Sequence, residues 1–253
     1  MWSRSELKER AKSVLTNIYW SAFGVSIVIA LAGANDGWSG TGSRHSRDSR
    51  DSFFSRFYTN GIVNWRLVAI ALATVAVLIS IRIFIGYALE VGGRKFYIQS
   101  AQFKDNKKCF SFSFKDQNYM SIVKTMLLTK VLIFLWTLLL IVPGIIKSYA
   151  YSMVPYILAD NPNMGVKEAI KLSNEMTMGH KFDMFVLDLS FLGWVLLGVL
   201  VFGVGLLFVM PYIDSTSAEL YLVLRKEALK NNLCSYSDLM LNQPVVENNP
   251  NIW

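Results

Sequence analysis

The chain is short of the residues that a cysteine- or histidine-based site requires. Its 253 residues include two cysteines, Cys109 and Cys234, and two histidines, His45 and His180. The cysteines stand far apart in polar segments, which excludes a disulfide framework and a cysteine-rich zinc site. Two histidines leave little room for a triad or a metal centre. No Gly-Xaa-Ser-Xaa-Gly elbow, phosphate-binding loop, dinucleotide fingerprint or His-Glu-Xaa-Xaa-His occurs. Charge is scarce as well: 17% of residues are Asp, Glu, Lys or Arg, where a soluble domain carries about 25%.

What is present is apolar. Hydrophobic residues make up 53% of the chain and the mean hydropathy is +0.36. With long apolar runs, that composition points to a membrane protein. The net charge of +7 reads as an excess of cations on cytoplasmic loops. Nucleic-acid binding would need a basic face with interleaved aromatics on a soluble module, and the sequence has none.

Residues 3–16 read as an amphipathic helix. Ser3 and Glu6 match a capping box, and Leu7, Ala11, Val14, Leu15 and Ile18 share one face. A flat position on the membrane surface is expected for it. The apolar run 18–34 is about one bilayer thickness and carries a stripe of small residues, Ala22, Ser26, Ala30 and Ala34. Ala32-Gly33-Ala34 has cleavage-site character, but the long leader favours a retained anchor over a signal peptide. Residues 35–61, with the triplet repeat "SRHSRDSRD", read as a solvated disordered loop holding His45.

A second span covers about 63–91, with Trp65 and Arg66 as interfacial anchors. Residues 94–121 form a basic loop, and its "CFSFSF" leaves a short strand open. The apolar block 122–159 is too long for one span: as a helix at 1.5 Å per residue it would exceed about 50 Å, against a hydrocarbon core of about 30 Å. A hairpin is expected, with 122–142 crossing, Pro143-Gly144 turning and 145–160 returning. Asn161-Pro162 opens an amphipathic helix, about 163–178, closed by Gly179. The block 183–213 repeats the length problem, and a turn at Gly203–Gly205 gives arms of about 183–202 and 205–224. Both return arms carry Pro-Tyr-Ile ahead of an aspartate, Asp160 and Asp214. A mobile tail is expected over 231–253.

The expectation is an all-α polytopic membrane protein with six embedded helices, two hairpins and amphipathic interfacial helices. Lysines and arginines number seventeen on the side of the termini and four in the opposite loop 35–61. That asymmetry puts both termini in the cytoplasm.

A family resemblance rests on Arg4-x-x-Leu7-Lys8, Ala11-Lys12, Tyr19-Trp20, "LLLIVPGIIK" (138–147), "PYILADNP" (155–162), Ala169-Ile170-Lys171-x-Ser173, Gly179-His180-Lys181, "FVLDLSFLGW" (185–194) and Pro211-Tyr212. On these the chain resembles the bacterial integral-membrane family known as domain of unknown function 975. It is distantly similar to the membrane domain fused to some glycerophosphodiester phosphodiesterases. The 35–61 loop falls outside the pattern. The resemblance implies the topology and brings no activity, cofactor or catalytic residue with it.

The ionisable residues within spans are the candidate site: Arg82, Glu90, Lys130, Asp160, Asp188, Asp214 and Glu219. In the six-span topology all fall in the cytoplasmic half. Charges at such depth pair with one another or line a wet cavity, so they read either as structural ion pairs or as a polar pocket open to the cytoplasm. Asp188 is expected to pair with Lys130 or Arg82. No cofactor or metal is expected. The expected partners are membrane lipids, other membrane proteins or a second copy of the chain, and not nucleic acid. Two function classes follow: a non-enzymatic transporter-like or accessory module (lipid handling, envelope stress, resistance to membrane-active peptides), or a membrane enzyme acting on lipid head groups through the buried acids.

Overall fold

In the computed structural model, residues 3–31, 58–59, 62–63, 65–200 and 204–242 are described, and their regular secondary structure is helical apart from a two-residue antiparallel pairing of β1 (Tyr58–Thr59) with β2 (Ile62–Val63). The expectations about residues 32–57, among them the polar loop with His45 and the Ala32–Ala34 site, lie outside the described residues, as does any turn at 201–203.

Helix α1 (Arg4–Leu31) is two helices joined at Ile18, which leaves helical geometry (φ −127°, ψ 16°). The parts Arg4–Thr16 and Ile18–Ala30 meet at 106°. The Ser3 hydroxyl accepts the Glu6 backbone N–H at 3.2 Å, as the capping pattern anticipates. The apolar face is not left for lipid. Leu7, Ala11, Val14 and Leu15 are buried inside the protein, where α1 packs along the last long helix of the chain. Lys8 reaches across to donate to Ser190 at 2.8 Å.

Helices α2 (Trp65–Ile81) and α3 (Tyr87–Ala101) are joined by one π-helical turn, Arg82–Gly86, into a rod of 37 residues. Its two halves differ sharply. No residue of α2 is buried, whereas α3 buries Tyr87, Glu90, Val91, Tyr97 and others. The expected loop 94–121 is corrected accordingly: the helix runs on to Ala101, because residues after Arg94 still have an inward face (Phe96, Tyr97, Ser100). The small-residue stripe of α1 does what its spacing implies, with Ala22 and Ser26 against Tyr97.

The "CFSFSF" segment is a short helix, α4 (Cys109–Ser113), rather than a strand. Phe110 packs on Gly92, where an added Cβ would lie 3.1 Å from the Phe110 Cα. The buried Cys109 thiol donates to Gln99 Oε1 at 2.8 Å, and burial pushes its pKa up to about 11. A thiol held that high stays protonated and inert near neutral pH.

Helix α5 (Asp116–Leu139) ends at Leu140, which is extended (φ −155°, ψ 136°), and α6 (Ile141–Ala150) begins at once. The break therefore falls three residues before the expected Pro143-Gly144 turn. Proline is tolerated in a first helical turn, where its missing N–H has no intrahelical partner. Glycine is needed beside it: Gly144 abuts Thr137, and a Cβ there would sit 2.6 Å from the Thr137 Cα. Lys147 lies over the Trp136 ring at 5.3 Å. The chain is broken again at Tyr151–Met153, before α7 (Val154–Asp160).

Helix α8 (Val166–Met176) starts later than Asn161-Pro162 implied. Asn161 instead accepts the Asn163 N–H at 3.0 Å in a local turn, and the Gly165 N–H is capped by Glu168 at 3.3 Å. Its faces are as expected, with Ala169 and Ser173 buried and Lys167, Glu168 and Lys171 exposed. Gly179, at φ +85°, closes the region. Helices α9 (Lys181–Leu189) and α10 (Leu192–Leu200) form one nearly continuous rod, and α11 (Val204–Lys230) carries Pro211 within it. The expected mobile tail is corrected as far as residue 242: Leu239 is fully buried, and Asn161 donates to the Asp238 carbonyl at 2.8 Å.

Among the described residues, three helices are long and apolar enough to cross a membrane, Trp65–Ala101, Asn118–Leu139 and Lys181–Leu200; the two parts of α1 reach that length and hydropathy only when taken together as one broken span. The buried core joins α1, α3, α7, α8 and α11 with the start of α5. The apolar ends Leu138–Val142 and Leu196–Leu200 project from it with side chains exposed.

Candidate functional site

The two Pro-Tyr-Ile segments organise the polar interior. Each aspartate that follows holds a buried arginine. In α7, Asp160 Oδ2 accepts Arg225 Nη1 and the Tyr221 hydroxyl, both at 2.7 Å. In α11, Asp214 Oδ1 accepts Arg94 Nη1 at 2.8 Å, and its Oδ2 accepts the Ser26 hydroxyl at 2.6 Å. Tyr156 connects the two clusters. Its ring stacks on Tyr221 (centroids 5.3 Å apart, 22° between planes), and the Arg94 guanidinium lies 5.2 Å from its centroid. On the far side of Ser26, Tyr97 Oη is 2.6 Å from Ser26 Oγ and 2.7 Å from the Ala22 carbonyl oxygen. A continuous polar seam thus ties α1, α3, α7 and α11 together.

Beside this seam lies a cavity of about 670 Å³. Glu90, Arg94 and Lys130 line it, together with Tyr149, Ser152 and Asp188, and its wall continues over Ile145, Phe185 and Leu189. Those last three are 48%, 45% and 52% exposed, so the cavity runs from a charged interior to the apolar outer surface. Glu90 is only 2% exposed. Among the described residues its Oε2 has no hydrogen-bond partner, and neither does Arg94 Nε one helical turn along.

Of the seven residues singled out from the sequence, the cavity brings together Glu90, Lys130 and Asp188. Asp160 and Asp214 stand in the seam. Glu219 lines a separate cleft of about 840 Å³ with Arg10, Lys104, Lys226 and Lys230. Arg82 belongs to the π-helical turn. Asp188 Oδ2 accepts the Tyr149 hydroxyl at 2.8 Å, and Lys130, one of the two cations expected beside it, lines the same cavity; the cations at Asp160 and Asp214 are Arg225 and Arg94. Sequence reasoning placed Arg94 in the basic loop 94–121 and counted Arg225, just past the 205–224 arm, among the cations on the side of the termini. One local signal was available for the first, because Glu90 and Arg94 are four residues apart on one helix face.

The acids of the seam are engaged. Asp160 and Asp214 each pair with an arginine and accept a hydroxyl. Among the described residues no group of three or more His, Cys, Asp or Glu is arranged to hold a metal ion.

No curated protein and no solved structure matches the chain. Residues 137–228, from the end of α5 to Ala228 in α11, match the family model described as "Protein of unknown function (DUF975)", the family that the sequence resembles.

Proposed function

We propose that the chain is an integral membrane protein of the cell membrane, with six embedded segments and both termini in the cytoplasm. It works as a non-enzymatic module that holds an amphipathic molecule in the α3–α5–α9 cavity, a lipid-handling role. The observation that carries the membrane reading is α2: a helix apolar on every side with no buried residue. Such a helix needs either a protein core or a bilayer around it. The segments proposed as embedded are the second half of α1, α2 with the start of α3, α5, α6 with α7, α9 with α10, and the apolar part of α11. In this arrangement α5 with α6–α7 and α9–α10 with α11 are two hairpins. Arg94 and Arg225 are buried, so they leave the charge count. Without those two, fifteen cations still stand on the side of the termini against four in the 35–61 loop. The engaged state of Asp160 and Asp214 favours a binding module over an enzyme that works through them.

Single cysteines at positions 56 and 171, in a chain with Cys109 and Cys234 replaced by serine, test the topology. In intact cells an impermeant maleimide is expected to label position 56 and to spare position 171. Labelling of 171 and not 56 would invert the orientation, and labelling of both would break the six-segment arrangement.

A further inference from the structure

We infer that the cleft between the end of α3 and the last turns of α11 binds a water-soluble polyphosphate anion, the chemistry carried by inorganic tripolyphosphate and by nucleoside triphosphates. Four pieces of chain line it: the first part of α1, the turn after α3, residues 219–230 of α11 and the docked segment 236–242. Its volume of about 840 Å³ lies within the range of roughly 300–1,000 Å³ common for small-molecule sites.

The lining carries five cations and, among the described residues, one acid, Glu219. Arg225 is paired with Asp160 at 2.7 Å. Arg10 is paired with Glu6 at 2.6 Å and is also the cation that acts on Glu219. Lys104, Lys226 and Lys230 remain. All three are exposed, and among the described residues none of them forms an ion pair. The acids next to them in the chain are engaged elsewhere: Asp105 accepts the Lys107 N–H at 3.1 Å, and Glu227 faces His180 at 3.3 Å. Lys226 and Lys230 stand one turn apart on one face of α11, where like charges repel. A cleft lined by one sign of charge also concentrates its field. An anion with several charged phosphates offsets all three lysines at once, through charge-assisted hydrogen bonds. A monovalent anion would leave two of them uncompensated. Gln102, Tyr236 and Asn242 add neutral donors to the same lining.

A phospholipid headgroup also carries phosphate, and the length of the α2–α3 rod decides between the two sources, an argument that rests on the membrane reading above. The rod Trp65–Ala101 has 37 residues. At 1.5 Å per residue it measures about 55 Å, against about 40–45 Å for a bilayer with its headgroups. With Trp65 at the outer interface, the end of α3 stands clear of the inner headgroups. The cleft beside Lys104 therefore opens to water, where a soluble anion reaches it and a lipid phosphate does not.

The test is isothermal titration calorimetry of the full chain in detergent at physiological ionic strength. The two titrants are inorganic tripolyphosphate and a short-chain phosphatidylglycerol. One tripolyphosphate per chain is expected, bound more tightly than the phospholipid. Lys226→Gln/Lys230→Gln is expected to weaken tripolyphosphate binding at least about tenfold, as loss of hydrogen bonds between charged groups does. Lys104→Gln, on the opposite wall, is expected to weaken it too. Lys167→Gln/Lys171→Gln removes the same charge from the exposed face of α8 and is expected to change nothing. Absence of saturable tripolyphosphate binding, tighter binding of the phospholipid, or an equal loss in both double variants overturns the inference. If Lys226→Gln/Lys230→Gln does not fold, Lys104→Gln decides. The titration does not depend on the orientation in the membrane. Correct labelling at positions 56 and 171 without tripolyphosphate binding therefore rejects this ligand and leaves the membrane reading intact.

Discussion

Replacing Asp214 by alanine is expected to cost about 3–5 kcal/mol of folding stability, the range for breaking one side of a buried ion pair. The cause is what the substitution leaves behind. Arg94, joined to Asp214 at 2.8 Å, has a side chain only 11% exposed, so its charge would lose its counter-ion without gaining water. Ser26 would lose the acceptor of its hydroxyl, 2.6 Å away. The measurement is melting temperature and monodisperse yield in detergent for Asp214→Ala, Arg94→Met and the double variant Arg94→Met/Asp214→Ala. The double variant is expected to be more stable than the sum of the single losses, because two apolar side chains strand no charge. Strict additivity would mean that the two groups are not coupled. The same cycle at Asp160 and Arg225 is expected to behave alike, since that pair is as short and as buried.

The second large effect is expected at two glycines where backbones touch. An added Cβ at Gly205 would lie 2.7 Å from the Gly198 Cα, and one at Gly144 would lie 2.6 Å from the Thr137 Cα. In both places the obstacle is main chain, which cannot rotate away as a side chain can. The helices must separate, and close approach through small residues is what holds membrane helices together. Gly205→Ala and Gly144→Ala are each expected to cost about 1–3 kcal/mol, the usual range for overpacking. Leucine at either position is expected to abolish folded yield. Gly24 is the control, because a Cβ there meets nothing within 4 Å. Gly24→Ala is expected to be neutral, or to stabilise by up to about 1 kcal/mol through helix propensity. A loss at Gly24 as large as at Gly144 would show that the effect is not contact-specific.

The legible parts of this fold are those encoded locally. The capping serine, the amphipathic face of residues 4–16 and the small-residue stripe beneath Tyr97 are short-range patterns, and each appears where its spacing put it. The excess length of the 122–159 block correctly demanded a break. Its position was misread by three residues because proline looks like a breaker in sequence yet is accommodated in a first helical turn, as Pro143 is in α6.

The polar seam was half legible. Pro-Tyr-Ile-…-Asp marked both acids, since an aspartate in an apolar run is conspicuous. Their partners were not marked. Arg94 and Arg225 stand at the ends of apolar stretches, where a cation ordinarily meets water or lipid headgroups. The aspartates that bury them are 120 and 65 residues away. Only tertiary packing brings such groups together. The docked tail was hidden for the same reason: nothing around Leu239 announces that this one side chain is fully covered.

The central claim is that the apolar surface of α2 faces lipid, and Leu72, near the middle of α2 and 65% exposed, is the place to test it. A nitroxide on Leu72→Cys, in the cysteine-free chain reconstituted into liposomes, reports which medium surrounds it. Strong relaxation by dissolved oxygen, with little by a water-soluble nickel chelate, is the predicted result, because oxygen partitions into hydrocarbon and the chelate does not. Strong relaxation by the chelate would put α2 in water, and protection from both would put it against protein; either contradicts the account.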